Sequence, residues 1–387
     1  MARTKLSCFW NRPDISRTYQ AAVSLHSHTN HSKESLFFIP QFAEKWALLN
    51  WALKHQCSRS AIPIGFVDFA RSYWNPPLTA KLAFEVEREQ IEHLLGLMAL
   101  VSLTDHDTIE APVLLRMVPE AGEIPFSLEW SVPFEEAIFH LGIHNLPGNQ
   151  AQAIMADLAG YTQSPSAQRL SELIAMLDES PDVLIVFNHP LWDLRGIGQQ
   201  RYQQLLHQFL QRHVRFLHAF ELNAMRGRKE NDGVIRLAGH WHRLLVSGGD
   251  RHGCEPSGAL NLTEAKSFSE FVREVRAEQR SHVLFMPQYA QSMTMRTTQT
   301  LLDVIREFPQ YAAGHRRWDD RVFYSNGTSS ADRPLSVLWK APPAFIERIF
   351  SAIRLSENVV FRRMFAHVLK GGGDLHLPTD IASEKTL

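Results

Sequence analysis

Two histidines close the first apolar run of the chain. Residues 21–34 read AAVSLHSHTNHSKE, with one residue between His26 and His28. Side chains at positions i and i+2 of a β-strand point to the same face, so both imidazoles can bind one divalent metal ion. An isolated HxH motif is weak, because such short patterns also arise by chance. A metal site is indicated only if further ligand-type residues accompany the pair.

Further histidines and carboxylates do follow, each near the end of a strand-like apolar run. The candidate metal ligands are His26, His28, Glu34, His106, Glu129, His140, His189, Asp250 and His252. Imidazole and carboxylate together form the ligand set of Zn, Mn or Fe, and carboxylates can bridge neighbouring ions. Nine such residues are too many for one ion and suit two or three. Taken singly, each also fits an ordinary role as a turn, surface or core residue.

The elements that would position these residues alternate between apolar strands and amphipathic helices. The sequence predicts strands at 21–25, 98–103, 125–128, 137–139, 182–187, 216–220 and 244–247. It predicts helices at 78–97, with acids and Arg88 opposite the apolar face, and at 166–177, 199–213 and 268–280. Repeated strand–helix units favour a parallel sheet covered by helices. Polar residues at the strand ends favour a barrel with its active site on that face.

Composition gives a broad class. The chain has 387 residues, of which 44% are hydrophobic and 21% charged, as in a globular protein with a large core. A net charge of −1 gives no indication of nucleic acid or an anionic membrane as partner. The scattered Cys8, Cys57 and Cys254 fit a reducing compartment. Neither a secretion signal nor a membrane span is evident, so we expect a cytoplasmic protein.

The expected organisation has three parts. Residues 1–20 form a lead-in, 21–289 form the metal-binding domain, and 290–387 form a helical appendage without recognisable chemistry. An insertion at about 36–78 is rich in Phe, Trp and Pro. It is either a packed helical elaboration or a lid that shapes the substrate site, since loops on a scaffold often carry specificity.

The order of the motifs closely resembles that of the PHP family, named for its occurrence in polymerases and histidinol phosphatases. The matching segments are LHSHT (25–29), SLTDHDT (102–108), LEWS (128–131), FHLGI (139–143), FNHP (187–190), FELN (220–223) and SGGDRHG (247–253). The resemblance spans about residues 21–285. It implies an α/β fold, a distorted (β/α)7 TIM-like barrel, with a helical C-terminal extension. It also implies metal ions at the strand ends and phosphoester hydrolysis as the usual activity.

The resemblance also implies a role for each ligand. It places three ions, held by His26, His28 and Asp250, by Glu129, His140 and His189, and by His106 and His252. Glu129 would bridge the first two ions.

The sequence departs from the family pattern just after the HxH pair. Many relatives read HxHTxxSD, but the aspartate position holds Lys33, whose ammonium cannot bind a cation. Some relatives use a histidine one residue later, where this chain has Glu34, which can bind; His31 is a fallback. Occupancy of the third position is therefore open.

The expected function is a metal-dependent phosphoesterase that hydrolyses a small phosphorylated molecule. A metal-activated hydroxide would attack phosphorus at a centre of two or three ions. The candidate catalytic residues are Asp250, His252, Glu129 and His189, with His252 or His189 as proton donor. Because a guanidinium fork suits phosphate oxygens, Arg195, Arg226 and Arg251 are candidate substrate-binding residues. Asn223 is a fourth candidate, since its amide can hydrogen-bond phosphate.

Two other functions stay open. Histidine–carboxylate clusters also serve amide hydrolysis, so an amidohydrolase-like enzyme is one alternative. A non-catalytic scaffold stabilised by metal is the other, and Lys33 gives it some support. DNA proofreading is less well supported, because the chain lacks polymerase regions and a basic groove. The sequence does not indicate an oligomeric state.

Overall fold

The computed structural model describes residues 3–36, 72–121, 123–324, 332–338, 342 and 344–354. These residues fall into two compact units. The first takes its described residues from Met1–His31 and Leu78–Arg296, and the second from Ser32–Pro77 and Thr297–Asp374. Of the predicted metal ligands, Glu34 belongs to the second unit and the others belong to the first.

The described elements are short strands and mostly short helices. The strands are β1 Arg3–Cys8, β2 Ala21–Ser24, β3 Glu34–Ser35, β4 Tyr73–Trp74, β5 Met98–Val101, β6 Phe126–Phe134, β7 Ala137–Leu146, β8 Leu184–Asn188, β9 Ala219–Asn223, β10 Leu244–Gly248, β11 Ala259–Thr263, β12 Arg280–Phe285, β13 Val322–Tyr324 and β14 Arg333–Pro334. The α-helices are α1 Ala80–Glu89, α2 Glu110–Leu115, α3 Ala151–Gln163, α4 Ala167–Glu179, α5 Gln199–His213, α6 Arg228–Trp241, α7 Phe268–Arg276, α8 Met293–Ile305, α9 Leu335–Leu338 and α10 Ala344–Arg354. A π-helical turn, Gln90–Leu95, continues α1.

The first unit contains two five-stranded sheets of mixed direction. One has the order β1-β12-β11-β2-β5, in which β11 runs antiparallel to both of its neighbours. The other has the order β10-β9-β8-β7-β6, in which β7 runs antiparallel to both β6 and β8. Neither sheet closes into a barrel among the described residues. The prediction of a distorted (β/α)7 TIM-like barrel is therefore wrong, while the α/β class is correct.

The error has a physical cause at the β6–β7 connection. Parallel neighbours need a crossover of about a dozen residues or more. Only Glu135 and Glu136 separate Phe134 from Ala137, and Glu135 has a φ of 53°. Such a short, left-handed turn joins antiparallel strands. The expected parallel pair is thus a hairpin.

An aromatic core holds the second of these sheets against its helices. The fully buried rings of Phe139, Phe187 and Phe220 project from β7, β8 and β9. Phe209 of α5 packs on Phe139 with ring centroids 4.7 Å apart and on Phe187 at 5.3 Å. Burying each ring contributes about 1.5–3 kcal/mol. This packing fixes β7, which contains His140, and β8, which His189 directly follows.

The second unit includes a small sheet in the order β14-β13-β4-β3. In the same unit, the Lys33 ammonium lies 3.4 Å from an Asp332 carboxylate oxygen and 4.7 Å from the centroid of the Tyr73 ring. The insertion predicted at 36–78 lies outside the described residues from 37 to 71, as does the C-terminal tail beyond 354. The predicted domain boundaries stay a prediction. Among the helices that the structure describes, none has the length and apolar character to span a bilayer.

Candidate metal centre

Strand ends from both sheets of the first unit meet at one place. Beyond β2, Ser27 forms a parallel bridge with Arg251, which follows β10. The His28 N–H donates to the Arg251 carbonyl at 3.0 Å. Beyond β5, His106 forms a second parallel bridge with Glu129 of β6. These single bridges bring the loops with the predicted ligands together without closing a barrel.

The Glu129 carboxylate is the centre of the cluster. Among the described residues, imidazole nitrogens of five histidines lie within 3.4 Å of it. The distances to its Oε2 are 3.0 Å for His26, 3.3 Å for His28 and 3.4 Å for His106. Its Oε1 is 3.0 Å from His189 Nε2 and 3.3 Å from His140 Nδ1.

This donor set fits divalent cations. Two groups, His26–His28–Glu129 and His106–Glu129–His140, each offer three ligand atoms within 4.8 Å of one another. The Nε2 atoms of His26 and His28 are only 3.0 Å apart, so at most one proton can lie between them. A carboxylate offers about four lone-pair sites and already accepts an Asn188 N–H at 3.0 Å. Five further donors exceed that capacity, whereas a cation would use the same atoms as ligands.

Asp250 and His252 lie beside the first group. Asp250 Oδ1 is 3.7 Å from Nε2 of both His26 and His28. The His252 ring stacks on His28 with centroids 4.3 Å apart, and its Nδ1 lies 2.8 Å from the Asp250 carbonyl oxygen. The structure thus brings together the eight predicted ligands that belong to the first unit.

The pKa shifts of Glu129, Asp250 and His140 favour cation binding, whereas that of His26 opposes it. Burial opposes ionisation of Glu129 and Asp250, but the surrounding histidines hold the pKa of both carboxyls well below the usual range. Burial lowers the pKa of His140 to about 4, which leaves a neutral imidazole with a lone pair. Burial also disfavours the charged form of His26, yet Glu129 and Glu221 outweigh it and raise its pKa well above 6.5. A cation at His26 must therefore displace a proton.

Glu221 is a site residue that sequence reasoning missed. It is fully buried, and its Oε1 lies 2.5 Å from His26 Nδ1. Its Oε2 accepts the His189 N–H at 2.8 Å, so it orients two predicted ligands. Gly248 makes room for it, because a Cβ at that position would overlap the Glu221 side chain. The available signal was a charged residue inside the apolar run of β9, since buried carboxylates require partners.

The predicted substrate-binding residues occupy different surroundings. The Arg226 guanidinium stacks 3.8 Å above the Trp192 ring, with Nη2 3.5 Å from Asp250 Oδ2. The Asn223 amide donates to the same Oδ2 at 3.0 Å. Arg251 is buried and donates to Glu87, while Arg195 is exposed in the loop after β8. Of the four, Arg226 and Asn223 are held at the Asp250 carboxylate; all four substrate roles stay predictions.

The residues after the HxH pair make local contacts. Glu34 is buried in the second unit, where it accepts a hydrogen bond from Ser32 Oγ at 2.6 Å. Its role as a ligand stays a prediction. In the first unit, His31 Nδ1 lies 3.0 Å from a Glu110 carboxylate oxygen. Asp105 accepts both the N–H and the hydroxyl of Thr29, which fixes the loop beyond His28.

Three of the predicted ligands have left-handed backbone. The φ angles are 63° for His26, 27° for His189 and 48° for Asp250. Each such residue costs of order 1–3 kcal/mol, and residues of this kind concentrate at functional sites. The strain thus falls where the strand ends direct their side chains into the cluster.

Comparison with known proteins adds little to this geometry. No protein-family model and no curated protein matches the chain. Solved structures with some likeness include PsfC from Pseudomonas syringae (TM-score 0.39, 15% identity, 57% of this chain and 88% of that one). Another is an amidohydrolase from Chromobacterium violaceum (TM-score 0.31, 14% identity, 46% of this chain and 83% of that one). A third, from Bifidobacterium adolescentis, is proposed to be a metal-dependent phosphoesterase (TM-score 0.33, 13% identity, 66% of this chain and 95% of that one). At such TM-scores the likeness establishes neither a shared fold nor a shared activity.

Proposed function

We propose that this chain is a metal-dependent phosphoesterase that hydrolyses a small phosphorylated molecule. The observation that carries the proposal is the convergence of five described imidazoles on the Glu129 carboxylate, with Asp250 beside them. Bound Zn, Mn or Fe ions would lower the pKa of water and offset charge on the phosphoryl oxygens. We propose two or three ions at this cluster.

We assign the described residues separate roles in charge balance, orientation, substrate binding and proton transfer. Glu129 and Asp250 supply negative charge, and Glu221 orients His26. Arg226 would bind a phosphoryl oxygen that does not take part in bond breaking. Water attacks phosphorus and loses a proton to solvent, the ester P–O bond breaks, and the leaving oxygen takes a proton. With two ions bound, His252 is not a ligand, and we assign that proton to His252, whose ring is partly exposed, because the His189 ring is buried against Glu129.

Metal analysis and a substrate panel test the proposal. Protein loaded with Zn, Mn or Fe and then desalted should retain more than one ion per chain. It should release phosphate from an aryl phosphate, and the Asp250→Asn variant should not. Metal-loaded protein that is inert towards all phosphoesters would refute the proposal. Hydrolysis of amides by the same inert sample would indicate the amidohydrolase-like alternative instead.

A further inference from the structure

A buried carboxylate on α1 contacts both loops that carry metal ligands. Glu87 is fully buried, and its Oε1 accepts hydrogen bonds from Ser27 Oγ at 3.0 Å and Arg251 Nε at 2.8 Å. Its Oε2 accepts from Ser24 Oγ at 2.9 Å and from the Ser257 N–H at 3.1 Å. The two oxygens thus receive four hydrogen bonds, which suits an ionised carboxylate.

The partners of Glu87 lie between the ligands. Ser27 separates His26 from His28, and Arg251 separates Asp250 from His252. One carboxylate therefore bonds to the middle residue of each ligand pair.

Arg251 strengthens the connection between the loops. Its Nη2 donates to the His28 carbonyl at 3.1 Å, and its Nη1 donates to the Gly253 carbonyl at 2.8 Å. The guanidinium is buried, so it depends on Glu87 for compensation of its charge. Loss of Glu87 would leave a buried cation and two hydroxyl groups without their acceptor. The loops would then relax relative to each other.

We infer that Glu87 is a positioning residue that sets the distance between the His26–His28 pair and the Asp250–His252 pair; this inference rests on the proposed function. Glu87 does not touch the reacting atoms. Its effect is transmitted through Ser27 and Arg251, because metal ligands must lie within a few tenths of an ångström of the required geometry. Removal of such an outer partner commonly weakens metal binding about 10- to 100-fold.

Glu87→Gln, made in the full chain, tests the inference. Glutamine keeps the shape of the side chain but removes its negative charge. Its amide NH2 would then face groups that are themselves hydrogen-bond donors. Glu89→Gln is the matched control, because Glu89 is exposed at the end of the same helix. Calorimetric titration with Zn²⁺ and with Mn²⁺ should show about 10- to 100-fold weaker binding for E87Q and unchanged binding for E89Q. Thermal unfolding without metal separates this effect from a loss of stability, which alone would leave the affinity of folded protein unchanged.

The outcomes distinguish the inference from the proposed function. If E87Q binds both metals as tightly as the parent, the inference is overturned and the proposed function stands. If the parent itself binds neither metal, the proposed function fails and the inference fails with it. Should E87Q not fold, Ser27→Ala removes one hydrogen bond and keeps the Glu87–Arg251 pair. Folded S27A should bind about tenfold more weakly, and parent-like binding would overturn the inference.

Discussion

Replacing Glu221 by glutamine removes a buried negative charge next to His26 while keeping the shape of the side chain. In the structure His26 Nδ1 lies 2.5 Å from Glu221 Oε1. Once a cation has displaced one proton from His26, the proton that remains on Nδ1 leaves the Nε2 lone pair directed at Glu129, which is the tautomer that a metal requires. The variant weakens the preference for that tautomer. It also weakens the acceptor of the His189 N–H.

The size of the effect follows from these contacts. A hydrogen bond to a charged group contributes about 1.5–3 kcal/mol. At about 1.4 kcal/mol per tenfold, this corresponds to roughly 10- to 150-fold in the metal dissociation constant. Glutamine Oε1 can still accept one hydrogen bond, and loss of the Glu221 charge eases displacement of a proton from His26, so we expect the lower part of that range.

Calorimetric titration with Zn²⁺ at pH 7 measures the difference directly. Glu274→Gln is a suitable control, because Glu274 is also a buried carboxylate and bonds Thr263 Oγ1 at 2.6 Å. E274Q should lose stability and keep its affinity for metal, whereas E221Q should lose affinity. Equal affinities for E221Q and the parent would refute the reasoning. Equal losses in E221Q and E274Q would also refute it, since the effect would then be a general consequence of removing a buried charge.

Three further predictions concern the carboxylate at the centre, the cation beside it and a buried histidine. Glu129→Gln should lower the metal content below one ion per chain by elemental analysis, since both candidate ligand groups share this carboxylate; full content would contradict its central role. Arg226→Met should raise KM for an aryl phosphate about tenfold with little change in metal content, and an unchanged KM would remove Arg226 from the substrate site. Burial lowers the pKa of His144 to about 3, below the ordinary 6.5, so the unfolded chain binds the proton first as pH falls. The free energy of unfolding should therefore fall by up to about 1.4 kcal/mol per pH unit between these values, and urea titrations of His144→Gln should show a weaker dependence; an equal slope would contradict the assignment.

Local elements of the fold were predictable because their signals are local. The sequence predicts a helix at 199–213, and α5 spans Gln199–His213. It predicts a strand at 182–187, and β8 spans Leu184–Asn188. Apolar spacing over a single run sets both elements. The candidate ligands also follow from local signals, since each lies at or near the end of such a run.

Pairing between distant segments was not predictable in the same way. Nothing in the apolar run of β11 indicates that it lies antiparallel between β2 and β12. Glu87 was interpreted as part of the polar face of its helix, yet it is buried against Ser27, 60 residues away. Glu221 likewise finds His26 at a separation of 195 residues. Periodicity records which face is apolar, but it carries no information about a buried charge whose partner lies elsewhere in the chain.

The pairing of β1 with β12 joins two segments that are synthesised far apart in time. Ser7 of β1 meets His282 of β12 across 275 residues, with Ser7 Oγ 2.8 Å from His282 Nε2. A ribosome that adds about 5–20 residues per second makes β12 on the order of tens of seconds after β1. During that interval β1 lacks this partner, and unpaired strand edges are prone to associate with other chains. Chaperone binding to nascent chains should therefore decline once Phe285 has left the exit tunnel.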